Sequence, residues 1–169
     1  MDLIGELKGN ALIAIAIIKQ NFKNFDLNTS EIEDLDKYHN YLPDRLVPYF
    51  EGAIKNYHYT KEALKEFEKP TPDLKKIGAL MNQHHAVLRD LLKITVPKID
   101  AMINAALKAG AYGAKIVGSG GGGSIVVLAE PGNEAPVVAA ILAAGAIEAY
   151  TVTVDPGVRI LENSKILKN

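Results

Sequence analysis

GAYGAKIVGSGGGGSIVVL, residues 110–128, sets a glycine loop between two short apolar runs. Ala114-Lys115-Ile116-Val117 on one side and Ser124-Ile125-Val126-Val127-Leu128 on the other are rich in β-branched residues and read as strands. The six positions between them, Gly118-Ser119-Gly120-Gly121-Gly122-Gly123, carry almost no side chain. Glycine loses more backbone freedom on ordering than any other residue, so five of them between strands imply a demand on the backbone itself. One such demand is close approach, since bare N–H groups curled into a concave nest suit the oxygens of a phosphate.

Three other readings compete. Gly/Ser runs behave as flexible linkers, but linkers join domains and this run joins two adjacent strands. Gly118-x-Gly120-x-x-Gly123 has the spacing of the dinucleotide fingerprint, which needs a helix to open at the loop, whereas a strand follows here. A Walker A loop ends in Gly-Lys-Ser/Thr, and none closes this run, so a phosphate here would be held mostly by backbone.

Outward from the loop, the chain is helical on its N-terminal side. Apolar spacing and breakers predict helices over 3–19, 31–39, 48–68, 74–92 and 98–109. Asn28-Thr29-Ser30-Glu31 reads as a cap, Pro48 and Pro97 as first-turn prolines, and Gly110 as a helix C-cap. In the third helix Phe50, Ile54, Tyr57, Leu64 and Phe67 fall toward one side. After the loop come a turn at Glu130-Pro131-Gly132-Asn133 and a small-residue helix over 136–144. Ala149 to Val154 then alternates as a strand should, and Val158-Arg159-Ile160 reads as a last edge strand. Helices first, then β-β-α-β, make an α+β fold with an antiparallel sheet covered by helices.

The 169 residues fit one domain with one core. A formal charge of −1 and a pI near 6.4 give no general pull toward nucleic acid or an anionic membrane. With no cysteine there is no disulfide, thiolate zinc site or thiol nucleophile, which fits a reducing cytoplasm. The apolar run Ala11 to Ile18 is too short to span a bilayer, and Asp2 and Glu6 stand where a signal peptide would be basic.

Two motifs in order then resemble one family. The run from Ile77 through Leu80-Met81-Asn82-Gln83-His84-His85 to Leu88-Arg89-Asp90 is similar to a helix in the C-terminal halves of the GHMP sugar and isoprenoid kinases. Gly113-Ala114-Lys115 through Gly123 resembles their third conserved motif, a glycine loop that reaches the ATP phosphates. The likeness extends from near Tyr41 to Val154. Within the family the galactokinases look closest, with His58 and Glu62 loosely matching their histidine and acid-rich helix. Gly121, however, stands where galactokinases usually carry phenylalanine and mevalonate kinases favour glycine.

The resemblance implies a ferredoxin-like C-terminal lobe and, in the intact kinase, ATP and Mg²⁺ serving a small-molecule acceptor. It implies that Gly118, Ser119, Gly120, Gly121, Gly122 and Gly123 face the phosphates, with Lys115 and His85 near the substrate or in support. The family's N-terminal lobe carries a nucleotide loop, a metal ligand and an aspartate base, and none of these is recognisable over 1–169. The chain is therefore expected to act with a missing N-terminal lobe as its partner, to be inactive alone, and to bind neither nucleic acid nor membrane. Self-association over the surface that lobe would cover makes a homodimer a further expectation.

Among the remaining residues, Lys115 serves equally as a cation near the loop or as a sheet-edge lysine. Ser119 could give its hydroxyl to a phosphate or simply keep the turn small. His84 and His85 are helix neighbours about 100° apart and do not readily share one ion, and no His-Glu-x-x-His is present, so no metal site is assigned. His58 and Glu62 read as a surface pair one turn apart, and Asp90 and Asp100 as caps or ion-pair partners. No residue is assigned as a catalytic base.

Overall fold

The computed structural model describes residues 3–118, 120–154 and 157. Its helices are α1 Leu3–Asn21, α2 Leu35–His39, α3 Val47–Phe67, α4 Leu74–Ala86, α5 Pro97–Lys108 and α6 Glu134–Ala143. Its strands are β1 Gly113–Val117 and β2 Ser124–Leu128.

Local chemistry explains the boundaries. Asp73 caps α4 by accepting from the N–H groups of Lys75 at 2.9 Å and Lys76 at 3.1 Å. Pro97 opens α5 after an extended Val96, and Gly110 leaves it at φ +95°. The fourth helix ends sooner than expected, as the chain widens into a π-helical turn over Val87–Leu91. There the Leu92 N–H reaches back to the Val87 carbonyl, and Lys93 follows at φ +54°.

Two cores form. In the first, α1, α2 and α3 enclose Ala14, Ile18, Phe25, Leu35, Tyr38, Leu46, Phe50 and Ile54. Tyr38 stands edge-on to Phe22, Phe25 and Phe50, with ring centroids 5.0, 5.3 and 5.6 Å away. In the second, α5 and α6 pack on Ala114 and Ile116 of β1 through Ile99, Met102, Ile103, Ala106, Val137 and Ile141. The two strands pair antiparallel, Gly113 opposite Leu128 and Val117 opposite Ser124.

The outer side of β1 is taken by α4, whose backbone comes so close that a β-carbon on Gly78 or Gly113 would overlap the other segment's backbone. Asn82 turns this contact into a ladder. Its side-chain oxygen accepts the Ala114 N–H at 2.9 Å, and its amide nitrogen donates to the Tyr112 carbonyl at 3.2 Å. One helical side chain thus stands in for a neighbouring strand.

Several expectations are corrected. Ala149 to Val154 keeps its alternating sequence but is not a strand, because none of the described residues lies beside it to complete a ladder. The edge strand expected at 158–160 lies outside the described residues. On α3, Phe50 and Ile54 are buried, but Leu64 and Phe67 are exposed. The helix outlasts the core it covers, and its last turn carries instead a buried Glu66. Ser30 does not cap a helix; its hydroxyl donates to the Asp26 carbonyl at 2.8 Å.

Candidate functional site

All five glycines of the 118–123 loop have positive φ: +85° at Gly118, +81° at Gly120, +72° at Gly121, +129° at Gly122 and +100° at Gly123. Residues with a β-carbon resist this half of conformational space, at about 1–2 kcal/mol per residue. Glycine is therefore set here by handedness, and at Gly120 by space as well. A β-carbon there would lie 2.7 Å from the Ile94 carbonyl oxygen. At Gly118, Gly121, Gly122 and Gly123 it would meet nothing. The loop is thus pressed against Ile94 on one side and open on the other. Ser119 lies outside the described residues.

The pin is a hydrogen bond of 2.7 Å from the Gly121 N–H to the Ile94 carbonyl. That bond commits the Gly121 amide internally, while Gly120, Gly122 and Gly123 make no hydrogen bond to the described residues. Ile94 is buried and fixed in turn by its own N–H to Leu88 at 3.0 Å. The segment leaving the π-helical turn is therefore the seat of the loop. Sequence reasoning missed it, because nothing marks Ile94 apart from any other apolar residue. Asn82 was missed as a role although it stood in the motif, and an asparagine inside a helix, where it is a poor former, was the available signal.

Next to Ile94 in the chain, Thr95 begins a partly buried polar chain. Thr95 donates its hydroxyl to Asp100 at 3.1 Å, and the other Asp100 oxygen lies 3.4 Å from Nε2 of His85. His85 is 2% exposed, and neither ring nitrogen makes a hydrogen bond among the described residues. Burial lowers its pKa, and the charge of Asp100 opposes that shift in part.

Lys115 lies on β1, two residues before the last residue of the strand. Its Nζ donates to the carbonyl of Ile116 at 3.1 Å, and partial burial lowers its pKa. Next to it His84 is held neutral, its pKa pushed down to about 4, first by burial and then by the charges of Lys115 and His85. His58 is not paired with Glu62. It meets Glu31 at 3.1 Å, while Glu62 bonds Lys65 at 2.7 Å, so helix spacing alone misassigned this pair. Asp90 is in a fork with Arg89 at 2.8 Å.

Gly122 and Gly123 border a groove of about 1410 Å³ that runs along β2, α6 and residues 145–153. The described residues hold no cluster of three His, Asp or Glu suited to a metal ion. Nor is any of their helices long and apolar enough to cross a membrane.

Comparison with known proteins gives this geometry a family. Residues 60–147, just over half the chain, match the family described as GHMP kinases C terminal. A mevalonate kinase of Pyrococcus horikoshii is 37% identical over 124 residues, covering 73% of this chain and 36% of that protein. A galactokinase of Chloroflexus aggregans is 34% identical over 115 residues, covering 68% and 29%. The crystal structure of Lactococcus lactis galactokinase complexed with galactose superposes with a TM-score of 0.70 over 83% of this chain and 37% of that one, at 24% identity, a likeness of fold. The chain spans about a third of the length of the relatives it matches. It belongs to the GHMP kinases, and residues 60–147 are the C-terminal domain of that family.

Proposed function

We propose that this chain is the C-terminal part of an ATP-dependent small-molecule kinase and presents the 118–123 loop to the nucleotide phosphates. The observation that carries the reading is the run of left-handed glycines with its open side beside a groove. Phosphoryl transfer asks a protein mainly to position groups and neutralise charge, and backbone donors do both without side chains. The Gly120, Gly122 and Gly123 amides suit phosphate oxygens, while Gly121 fixes the loop's shape. ATP supplies the transferable phosphoryl group. Among the described residues no carboxylate cluster fits Mg²⁺, and in this reading the ion and the base are supplied by the N-terminal lobe of such a kinase.

Two acceptors follow from two observations. Gly121, together with mevalonate kinase relatives that cover more than 70% of the chain, supports mevalonate. The galactokinase relatives and the fold likeness support galactose. In either case the acceptor hydroxyl attacks the terminal phosphorus and ADP leaves.

The test combines the chain with the part of the P. horikoshii mevalonate kinase that precedes the matched region, in ATP, Mg²⁺ and either acceptor, and follows ADP. Turnover is expected only from the mixture. Gly122→Val should lower that rate by about 10² to 10³, the usual cost of losing an oriented donor. An unchanged rate in that variant would remove the loop from the mechanism.

A further inference from the structure

Strain, a pinned carbonyl and unpartnered polar atoms meet at one short stretch of chain. Lys93 holds φ +54°, a left-handed backbone that a residue with a β-carbon keeps only where its surroundings impose it. Ile94 follows, and its carbonyl takes the Gly121 N–H at 2.7 Å. Thr95 comes next, with its hydroxyl donated to Asp100 at 3.1 Å. The Ile94 carbonyl is thus held along the chain from both directions, by the Ile94 N–H on the Leu88 carbonyl and by the Thr95 hydroxyl on Asp100. A peptide group fixed on both sides keeps its direction, so the seat is oriented independently of the flexible run that sits on it.

Asp100 is where this hold is tied. It lies in the first turn of α5, where a carboxylate that served only to begin the helix would accept a helix N–H. Among the described residues its side chain accepts from Thr95 instead. Its other oxygen, Oδ1, is buried without a hydrogen-bond partner among the described residues and lies 3.4 Å from Nε2 of His85, which is in the same condition. Buried polar atoms without partners are rare in native structures, and each calls for a reason. Here two of them face one another with complementary chemistry, a ring nitrogen able to donate and a carboxylate oxygen able to accept. Asp100 therefore ties together α4 through His85, α5 through its own backbone and the 93–96 segment through Thr95.

We propose that Asp100 is a positioning residue for the glycine loop, acting through Thr95 and against His85 to aim the Ile94 carbonyl at the Gly121 N–H. Among the described residues its side chain makes no hydrogen bond to the loop itself, so its effect passes through Ile94. With Gly121 pinned, the neighbouring Gly120, Gly122 and Gly123 amides keep one arrangement, which is the positioning that phosphoryl transfer requires. With Gly121 loose, the run reverts to the flexible chain that its composition favours. The seat stands on geometry alone, and only what the loop holds rests on the kinase reading.

Two measurements test this. In the chain alone, Thr95→Val should speed amide exchange at Gly121 by about tenfold and move its proton resonance upfield, while Ile103 and Ala106, buried in the second core, keep their rates. Asp100→Ala should do the same, His85→Phe should do so to a smaller extent, and Thr95→Ser, which keeps the hydroxyl, should behave as the parent chain. If Asp100→Ala loses its fold by circular dichroism, Thr95→Val makes the test on its own. In the mixture with the preceding fragment of the P. horikoshii mevalonate kinase, Thr95→Val should lower kcat by about tenfold or more with the acceptor KM unchanged, and Thr95→Ser should restore it. An unmoved Gly121 in Thr95→Val overturns the proposal. So does a rise at Ile103 and Ala106 equal to that at Gly121, since Asp100 would then hold the fold as a whole, and an unmoved Gly121 in His85→Phe strikes His85 from the assignment. A loosened Gly121 with turnover unchanged would sink the kinase reading of the loop and leave the seat standing. Turnover lost with Gly121 still pinned would do the reverse.

Discussion

The two cores of this chain differ in how they are closed. Around Tyr38 and Phe50 the first is sealed by edge-on rings and three helices, and it leaves exposed side chains such as Leu12 and Ile13 on the outer face of α1. The second is dense under α5 and α6 but stops at β2, with open backbone and bare apolar residues on its flank. The glycine loop belongs to the second. The proposed phosphate loop thus sits where packing is less complete.

Altering the sealed side should have the largest effect. Phe50→Ala, at a fully buried ring, should cost about 3–5 kcal/mol in urea unfolding. If the loop amides keep their exchange rates in that variant, the two cores are energetically separate. If they speed up in step, α3 and α4 couple them. Gly120→Ala should come next, at about 1–2 kcal/mol for its left-handed φ plus the contact with Ile94. Gly118→Ala should show the conformational cost without the contact, and the difference between the two measures how firmly the loop is seated.

Asn82→Ala should cost about 1–3 kcal/mol by leaving the Ala114 N–H without its acceptor. Exchange at Ala114 would report the loss, and an unaltered rate would mean that α4 is not acting as a strand for β1. A separate effect is pH dependence. The folded pKa of His84 lies near 4 against an ordinary 6.5, so the unfolded chain binds more protons between these values. Stability should therefore fall as pH drops from 6.5 to 4, and His84→Gln should flatten that slope. Glu66 adds a separate loss at lower pH. Lys69, the Asp73 N–H and Lys76 hold its pKa down to about 2 despite burial. Its contribution is full above 4.5 and disappears as pH falls through 2, so the part of the slope below 4 that Glu66→Gln removes belongs to Glu66, the rest to other carboxylates held low such as Glu31 and Asp90.

Much of this was legible in residues 110–128, because β-branched runs and a glycine cluster make local demands. Both strands, the turn and the positive φ values follow from side-chain size alone. Helix positions were legible for the same reason, from Pro97 and Gly110 at the ends of α5. What sequence hid was every choice made by distant partners. His58 pairs with Glu31, 27 residues away, and Ile94 and Asn82 hold the loop and β1 from other elements. The Ala149 to Val154 alternation was read as a strand, yet a strand is a property of two segments side by side, and no second segment pairs with it among the described residues.

The central claim is that the left-handed loop grips a nucleotide phosphate with backbone amides. The direct measurement is an amide spectrum of the labelled chain, bound to the preceding kinase fragment, titrated with ATP and Mg²⁺. The account predicts shifts concentrated at Gly120, Gly122 and Gly123, with Gly121 held by Ile94 and moving least. Saturation by ATP with those three signals unmoved would contradict it.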